Sequence, residues 1–188
     1  MIAGVGGQGA VLASELLAMA AIKAGLDVKQ GEFHGVAQRG GTVFSHVRFG
    51  DRVYSPMARR GAVDFLLALE KLEALRYAHF TKPGGTIIVN DHTIAPLRTA
   101  DDRPYPEEAI DFLTEKGFKV VPIDATEKAI ELGNHRAANV VLLGTLAEYL
   151  DIAADIWDGA LRERIPERYL ELNLQAFAAG RECAKSAA

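Results

Sequence analysis

Near the start of the chain the run Gly4-Val5-Gly6-Gly7-Gln8-Gly9 joins an apolar segment beginning at Met1 to an Ala- and Leu-rich stretch, Ala10 to Ala24, closed by Gly25. Strand, glycine turn and helix in that order constrain this chain more than any other feature. Gly4, Gly6 and Gly9 satisfy the G-x-G-x-x-G pattern in the context that gives it meaning. Glycine lets the backbone turn sharply and lets a ligand approach, while the free amides of the following helix attract an anion. The plainer reading is that these glycines only pack strand against helix. Just Met1 to Ala3 precede the first glycine, fewer than the about five or six residues of a typical strand, so a start further upstream is expected.

The pattern beyond the turn repeats the strand–helix alternation. Strands are predicted at Asp27 to Phe33, Thr42 to Phe49, Val63 to Leu69, Thr86 to Asn90 and Phe118 to Ile123. Helices are predicted at Lys71 to Phe80, Pro106 to Lys116, Asp124 to Leu132, His135 to Leu150 and Ile156 to Arg164, with a last one opened by Pro166. Glu70 is placed to cap the Lys71 helix. Gly50-Asp51 joins Thr42–Phe49 to Arg52–Ser55 at the spacing of a two-residue hairpin. Pro83-Gly84-Gly85 breaks the chain before Thr86, and Asp91 to Tyr105 reads as a loop. The expected fold is therefore α/β: three-layer and Rossmann-like, with a mainly parallel sheet, helices on both faces and one inserted antiparallel hairpin. Its 188 residues suffice for one domain spanning 1–188.

Composition narrows the function classes. No apolar run reaches bilayer length, and the first residues lack the basic start and cleavage site of a secretory signal. Cys183 is the sole cysteine, which argues for a cytoplasmic address and leaves this chain without the four thiolates an iron–sulfur cluster takes. Net charge is −4, although Lys23, Lys29, Arg39, Arg48, Arg52, Arg59 and Arg60 make the early part mildly basic. These bases are too scattered for a nucleic-acid footprint and suit a small anion or an acidic partner. The five histidines show no metal-ligand spacing, and no G-x-S-x-G nucleophile motif is present.

A second polar cluster follows the second predicted strand: Glu32-Phe33-His34-Gly35-Val36-Ala37-Gln38-Arg39-Gly40-Gly41. It should lie on the same carboxyl edge of the sheet as the glycine turn, where α/β proteins bind ligands, and beside that turn, because sequential parallel strands are expected to neighbour each other. Glu32, His34 and Arg39 are the catalytic candidates. Gly6, Gly7, Gln8 and Gly9 with Gln38, Arg39, Gly40 and Gly41 are the candidate cofactor-binding set. Arg39 suits a carboxylate or phosphate by its planar donor fork, or pairs with Glu32 and merely holds the loop. Glu32 also lies about twenty residues beyond the glycine turn, where a dinucleotide fold places its ribose acid. Asn139, on an apolar helix, needs a partner such as a backbone loop.

Together GVGGQG at Gly4 and GEFHGVAQRGG at Gly31 resemble the gamma-type domain of 2-oxoacid:ferredoxin oxidoreductases, most closely the beta subunit of the indolepyruvate enzymes. The likeness continues through VRFG at Val47, VYSP at Val53, the segment Val63 to Glu73, KPGGTIIVN at Lys82, AANVVLLG at Ala137 and LNLQAFAAG at Leu172. This resemblance implies oxidative decarboxylation of a 2-oxoacid, such as indolepyruvate or pyruvate, to an acyl-CoA. It implies thiamine diphosphate with Mg and 4Fe–4S clusters on a large partner subunit, ferredoxin as acceptor, and coenzyme A either shared with this chain or held elsewhere. The chain is then expected to be inactive alone, to complete a partner's active site, to self-associate when isolated, and to bind neither nucleic acid nor membrane. The alternatives are a self-contained NAD-binding domain using Gly4, Gly6, Gly9 and Glu32, and a purely structural partner without a ligand.

Overall fold

The computed structural model describes residues 1–35, 41–94 and 105–187. Its centre is a six-stranded sheet of β1 (Ile2–Val5), β2 (Asp27–His34), β3 (Thr42–Gly50), β4 (Val63–Ala68), β5 (Thr81–Asn90) and β6 (Lys119–Ile123), in the order β2-β3-β1-β4-β5-β6. β1, β4, β5 and β6 pair in parallel, while β3 pairs antiparallel with both β1 and β2. Two reversals cancel, so β2 runs in the direction of β1 and β3 alone runs against the rest.

The helices are α1 (Ala10–Lys23), α2 (Lys71–Tyr77), α3 (Ala109–Glu115), α4 (Ala125–Glu131), α5 (Ala138–Ala147), α6 (Ala154–Arg164) and α7 (Glu167–Ala187). Two apolar clusters show how they cover the sheet. One joins Ile2, Leu67 and Ile88 to α1, α4, α5, α6 and α7; the other joins Ala3, Leu66 and Ile87 to α2 and α3. Alternate residues of each strand thus face opposite layers, which is why the β4 and β5 runs are apolar throughout. Every residue of α5 from Asn139 to Ala147 is buried, because α5 lies between the sheet and α7 and has no solvent face.

The crossing of α5 and α7 depends on two glycines. A Cβ on Gly180 would sit 1.8 Å from the Val141 carbonyl oxygen, and one on Gly144 would sit 2.1 Å from that of Phe177. The backbones therefore touch directly, and the Thr145 hydroxyl donates across the crossing to Gly180 O at 3.0 Å.

Three expectations are corrected. Arg52–Ser55 is not a strand: β3 is already paired along its length with β2, from Asp27↔Gly50 to His34↔Val43, so the antiparallel hairpin is β2–β3. Segment Arg52–Ser55 instead crosses that ribbon, tied by Val53 N to the Asp27 carboxylate at 2.8 Å and by Arg48 to Ser55 O at 2.8 Å. β5 begins at Thr81, not Thr86, because the ladder to β4 absorbs Pro83-Gly84-Gly85 as an irregularity between Val63↔Thr81 and Phe65↔Thr86. Finally, β2 does not neighbour β1; β3 lies between them.

Candidate functional site

The carboxyl edge of β1 is built by the glycine turn. Gln8 N closes it on Val5 O at 3.0 Å, and Gly7 and Gly9 take the positive φ angles of 103° and 82° that side chains resist. At Gly9 the space is also taken, since a Cβ would meet Asn139 Nδ2 at 2.4 Å. Asn139 has the backbone partner its burial demanded, donating to Gly9 O at 3.0 Å. The first turn of α1 has no side-chain cap and no acidic residue, so its amides favour negative charge.

Gln8 is occupied within the fold. Its Oε1 accepts from Val5 N at 2.7 Å and its Nε2 donates to Leu69 O at 2.9 Å, fastening the turn to the end of β4. Asn90 reaches the same carbonyl from the other side and exchanges hydrogen bonds with Thr126 at the start of α4. Three strand ends are thereby held in one arrangement.

The second predicted cluster reaches this edge through its last residue. Gly6 N donates to Gly41 O at 2.8 Å, joining the glycine turn to the segment that leads into β3. Glu32 and His34 are exposed on β2. Glu32 accepts from Gln30 at 3.1 Å and stands opposite Ser45. Val36, Ala37, Gln38, Arg39 and Gly40 lie outside the described residues, and with them the Arg39–Glu32 pairing.

Two acidic residues at the start of α2, its cap Glu70 and Glu73, complete the edge. Glu70 caps the helix as expected, accepting from Glu73 N at 3.1 Å, and its other oxygen takes Ile94 N and the Tyr105 hydroxyl. Burial and the adjacent Glu70 push the Tyr105 hydroxyl well above the ordinary phenol range. Glu73 is the residue that sequence reasoning missed. Its carboxyl, 2% exposed, accepts from Thr42 at 2.7 Å and pairs with Arg76. Burial pushes its pKa up against the opposing effects of Thr42 and Arg76. Only its place in the first turn of α2, three residues after a cap, marked it in the sequence. Glu70 and Glu73 together fasten the residues that border both polar segments, Gly41-Thr42 on one side and Ile94 and Tyr105 on the other.

This edge can present uncapped amides and loop polar groups to a ligand or to another chain. Among the described residues it lacks the parts of two other chemistries. Cys183 cannot ligate a cluster alone, and among the described residues no group of three or more His, Cys, Asp or Glu could hold a metal ion. The dinucleotide alternative also fails on topology. Because β3 separates β2 from β1, Glu32 is two strand positions away from the glycine turn, roughly 9–10 Å laterally, whereas a ribose acid belongs on the adjacent strand.

Fold and edge therefore define an α/β domain in which an antiparallel ribbon replaces the second parallel unit of a nucleotide-binding fold. The chain belongs to the pyruvate ferredoxin/flavodoxin oxidoreductase family, which it matches over residues 1–183. It is 40% identical to the indolepyruvate oxidoreductase subunit IorB of Pyrococcus horikoshii, over 98% of this chain and 95% of that protein. It is 42% identical to the IorB subunit of Archaeoglobus fulgidus, over 96% and 92%. The crystal structure of a keto/oxoacid ferredoxin oxidoreductase gamma subunit from Geobacter sulfurreducens superposes with a TM-score of 0.73 at 25% identity, covering 99% of this chain and 97% of that one. The class expected from the motifs, the small subunit of a 2-oxoacid:ferredoxin oxidoreductase, is the class of these relatives. No helix among the described residues is long and apolar enough to cross a membrane.

Proposed function

We propose that the chain acts as one gamma-type domain over 1–188, in the cytoplasm, as the small subunit of an oxidoreductase for an aryl 2-oxoacid of the indolepyruvate type. Four relatives named for that substrate match it at 33–42% identity over at least 95% of its length. In the reaction the 2-oxoacid loses CO2, its acyl group passes to coenzyme A, and two electrons leave to ferredoxin. Thiamine diphosphate with Mg supplies the carbanion chemistry and 4Fe–4S clusters the electron path, both on the large partner subunit. Among the described residues no group of three or more His, Cys, Asp or Glu could hold a metal ion, and Cys183 is the single cysteine of the sequence.

The observation that carries the reading is the Gly6 N–Gly41 O hydrogen bond, which puts the glycine turn and the root of the Glu32–Gly41 segment on one edge. Gly6, Gly7 and Gly9 offer backbone there, and Gln8 keeps that backbone in shape. Gln38, Arg39, Gly40 and Gly41 are assigned to the surface that meets the partner and shared coenzyme A, with Arg39 the fixed positive charge for a phosphate or carboxylate. Glu32 and His34 remain the candidates for proton handling at that surface. The isolated chain self-associates through the same face.

The test is reconstitution with the large subunit. Indolepyruvate- and coenzyme A-dependent ferredoxin reduction should require both chains, and Arg39→Ala should reduce turnover or coenzyme A affinity while leaving the thermal midpoint unchanged. Activity or a visible cluster band from this chain alone would refute the division of labour. An Arg39→Ala complex with normal kinetics would remove the site assignment.

A further inference from the structure

Between β3 and β4 the chain runs through residues 51–62 without regular structure. Because β3 alone runs against the other strands, this strap leaves and rejoins the sheet at its amino edge, opposite the glycine turn. The fold nevertheless pins it at several points. Val53 N donates to the Asp27 carboxylate at 2.8 Å, Ala58 N to His46 Nδ1 at 3.1 Å, and Gly61 N and Ala62 N to His79 O and Phe80 O at 3.1 and 3.0 Å. Arg48 donates from one nitrogen to both Ser55 O and Met57 O, so the strap bends around it. Pro56 rests on Gly31, where an added Cβ would come within 3.3 Å of the proline Cβ.

These contacts use the backbone and the inward residues, and they leave the outward side chains unused. Tyr54 is 81% and Met57 48% exposed, although both are large and apolar. Arg52, Arg59 and Arg60 are exposed as well. Among the described residues their guanidinium groups form no ion pair; Arg52 lies over the Tyr54 ring, 5.1 Å from its centroid. The acids nearest the strap are taken, Asp27 by Lys29 and Asp64 by Lys82. Residues 48–62 hold four arginines against Asp51 alone, a net +3 in a chain of net −4, so the rest of the chain holds −7.

Tyrosine, methionine and arginine are the residues enriched where proteins meet, and they dominate the binding energy there. A backbone fixed in advance lowers the cost of ordering them on contact. Unpaired guanidinium forks match carboxylates. Nucleic acid is the poorer match, because its phosphates would also meet the negative remainder of the chain.

We propose that the strap is a docking surface for an acidic patch of the large partner subunit, with Tyr54 and Met57 as apolar anchors and Arg52, Arg59 and Arg60 as carboxylate-binding groups. This rests on the subunit role proposed above and adds a second contact at the opposite edge of the sheet. The apolar anchors favour that lasting partner over a transient electron acceptor, whose encounters are small and driven by charge.

The test titrates the large subunit with the full chain and its variants at low and at high ionic strength. Tyr54→Ala should weaken binding about tenfold at both. Arg59→Glu/Arg60→Glu should weaken it about tenfold or more at low ionic strength and less at high. Lys116→Glu/Arg168→Glu, an equal change of charge outside the strap, should bind as the parent does. The strap variants should keep the parent's thermal midpoint within about 2 °C, since their side chains hold nothing in the fold. Strap variants that bind as tightly as the parent, or a control that loses as much as they do, would overturn the proposal. A parent chain that fails to bind the large subunit would refute the subunit role itself, and the docking surface with it. Strap variants that lose self-association while keeping their affinity for the large subunit would give the surface to a second copy of this chain and overturn the assignment.

Discussion

Gly180→Ala and Gly159→Ala place the same methyl group on the same kind of backbone and should act in opposite directions. At Gly180 the new Cβ would lie 1.8 Å from Val141 O, 2.7 Å from its carbon and 3.0 Å from Thr145 N. All three are backbone atoms of α5, so no rotamer change relieves the contact. Reaching an ordinary separation of about 3.3 Å requires α7 to move off α5 by roughly 1.5 Å, and attraction between packed atoms fades over that distance. Overpacking of this kind costs about 1–3 kcal/mol or more, and the Thr145–Gly180 bond adds about 1 kcal/mol. The better helix propensity of alanine returns about 1 kcal/mol. The net loss is about 1–3 kcal/mol, or about 2–12 °C in the thermal midpoint for a chain of this size. At Gly159, in α6, a Cβ meets nothing within 4 Å, so only the propensity gain remains, about 0.5–1 kcal/mol. Urea or thermal unfolding of the two variants beside the parent chain decides the matter. A Gly180→Ala protein as stable as the parent would refute the direct backbone contact between α5 and α7.

Three further outcomes follow from the same geometry. His46 is 1% exposed and ringed by Phe33, Phe44 and Phe80. Burial, with nearby positive charge, lowers its pKa from 6.5 to about 4. The folded state therefore holds it neutral, and its contribution is complete above pH 6.5 and lost as pH falls toward 4, up to about 3 kcal/mol. His46→Asn keeps an acceptor for Ala58 N, so its stability should decline less over that pH window; an unchanged slope in pH-dependent urea unfolding would contradict this. Gln8→Ala strands Val5 N, leaves Leu69 O only its bond from Asn90, and should cost about 1–3 kcal/mol in chemical unfolding, with a neutral result refuting its role as fastener. Gly9→Ala combines a positive φ with the clash on Asn139 and should destabilise by more than Gly7→Ala, which has open space; equal midpoints in calorimetry would count against the Asn139 contact.

Much of this protein is written in short-range pattern. The apolar start, the glycine turn and the Ala-rich run specify strand, turn and helix because their signals act within a few residues. Glu70 as a cap, and Gly25, Gly117 and Gly133 with positive φ beyond helix ends, follow from the same local physics. The carboxyl-edge placement of the glycine turn and of Gly41 was legible too, since it requires only that β1 and β2 run the same way. What the pattern could not give was which strand lies beside which. Alternation in Thr42–Phe49 marks a two-sided strand but does not identify its neighbours, and the hairpin spacing at Gly50-Asp51 pointed to a partner that β2 had displaced. Glu73 escaped notice because its burial depends on Thr42, 31 residues away. Gly144 and Gly180 lie in two sequence segments with no local sign of contact, yet each admits the other helix's backbone. Local propensity chose the elements of this protein; the pairing of surfaces distant in sequence, where backbone hydrogen bonds and close packing are won together, chose their order and built the site.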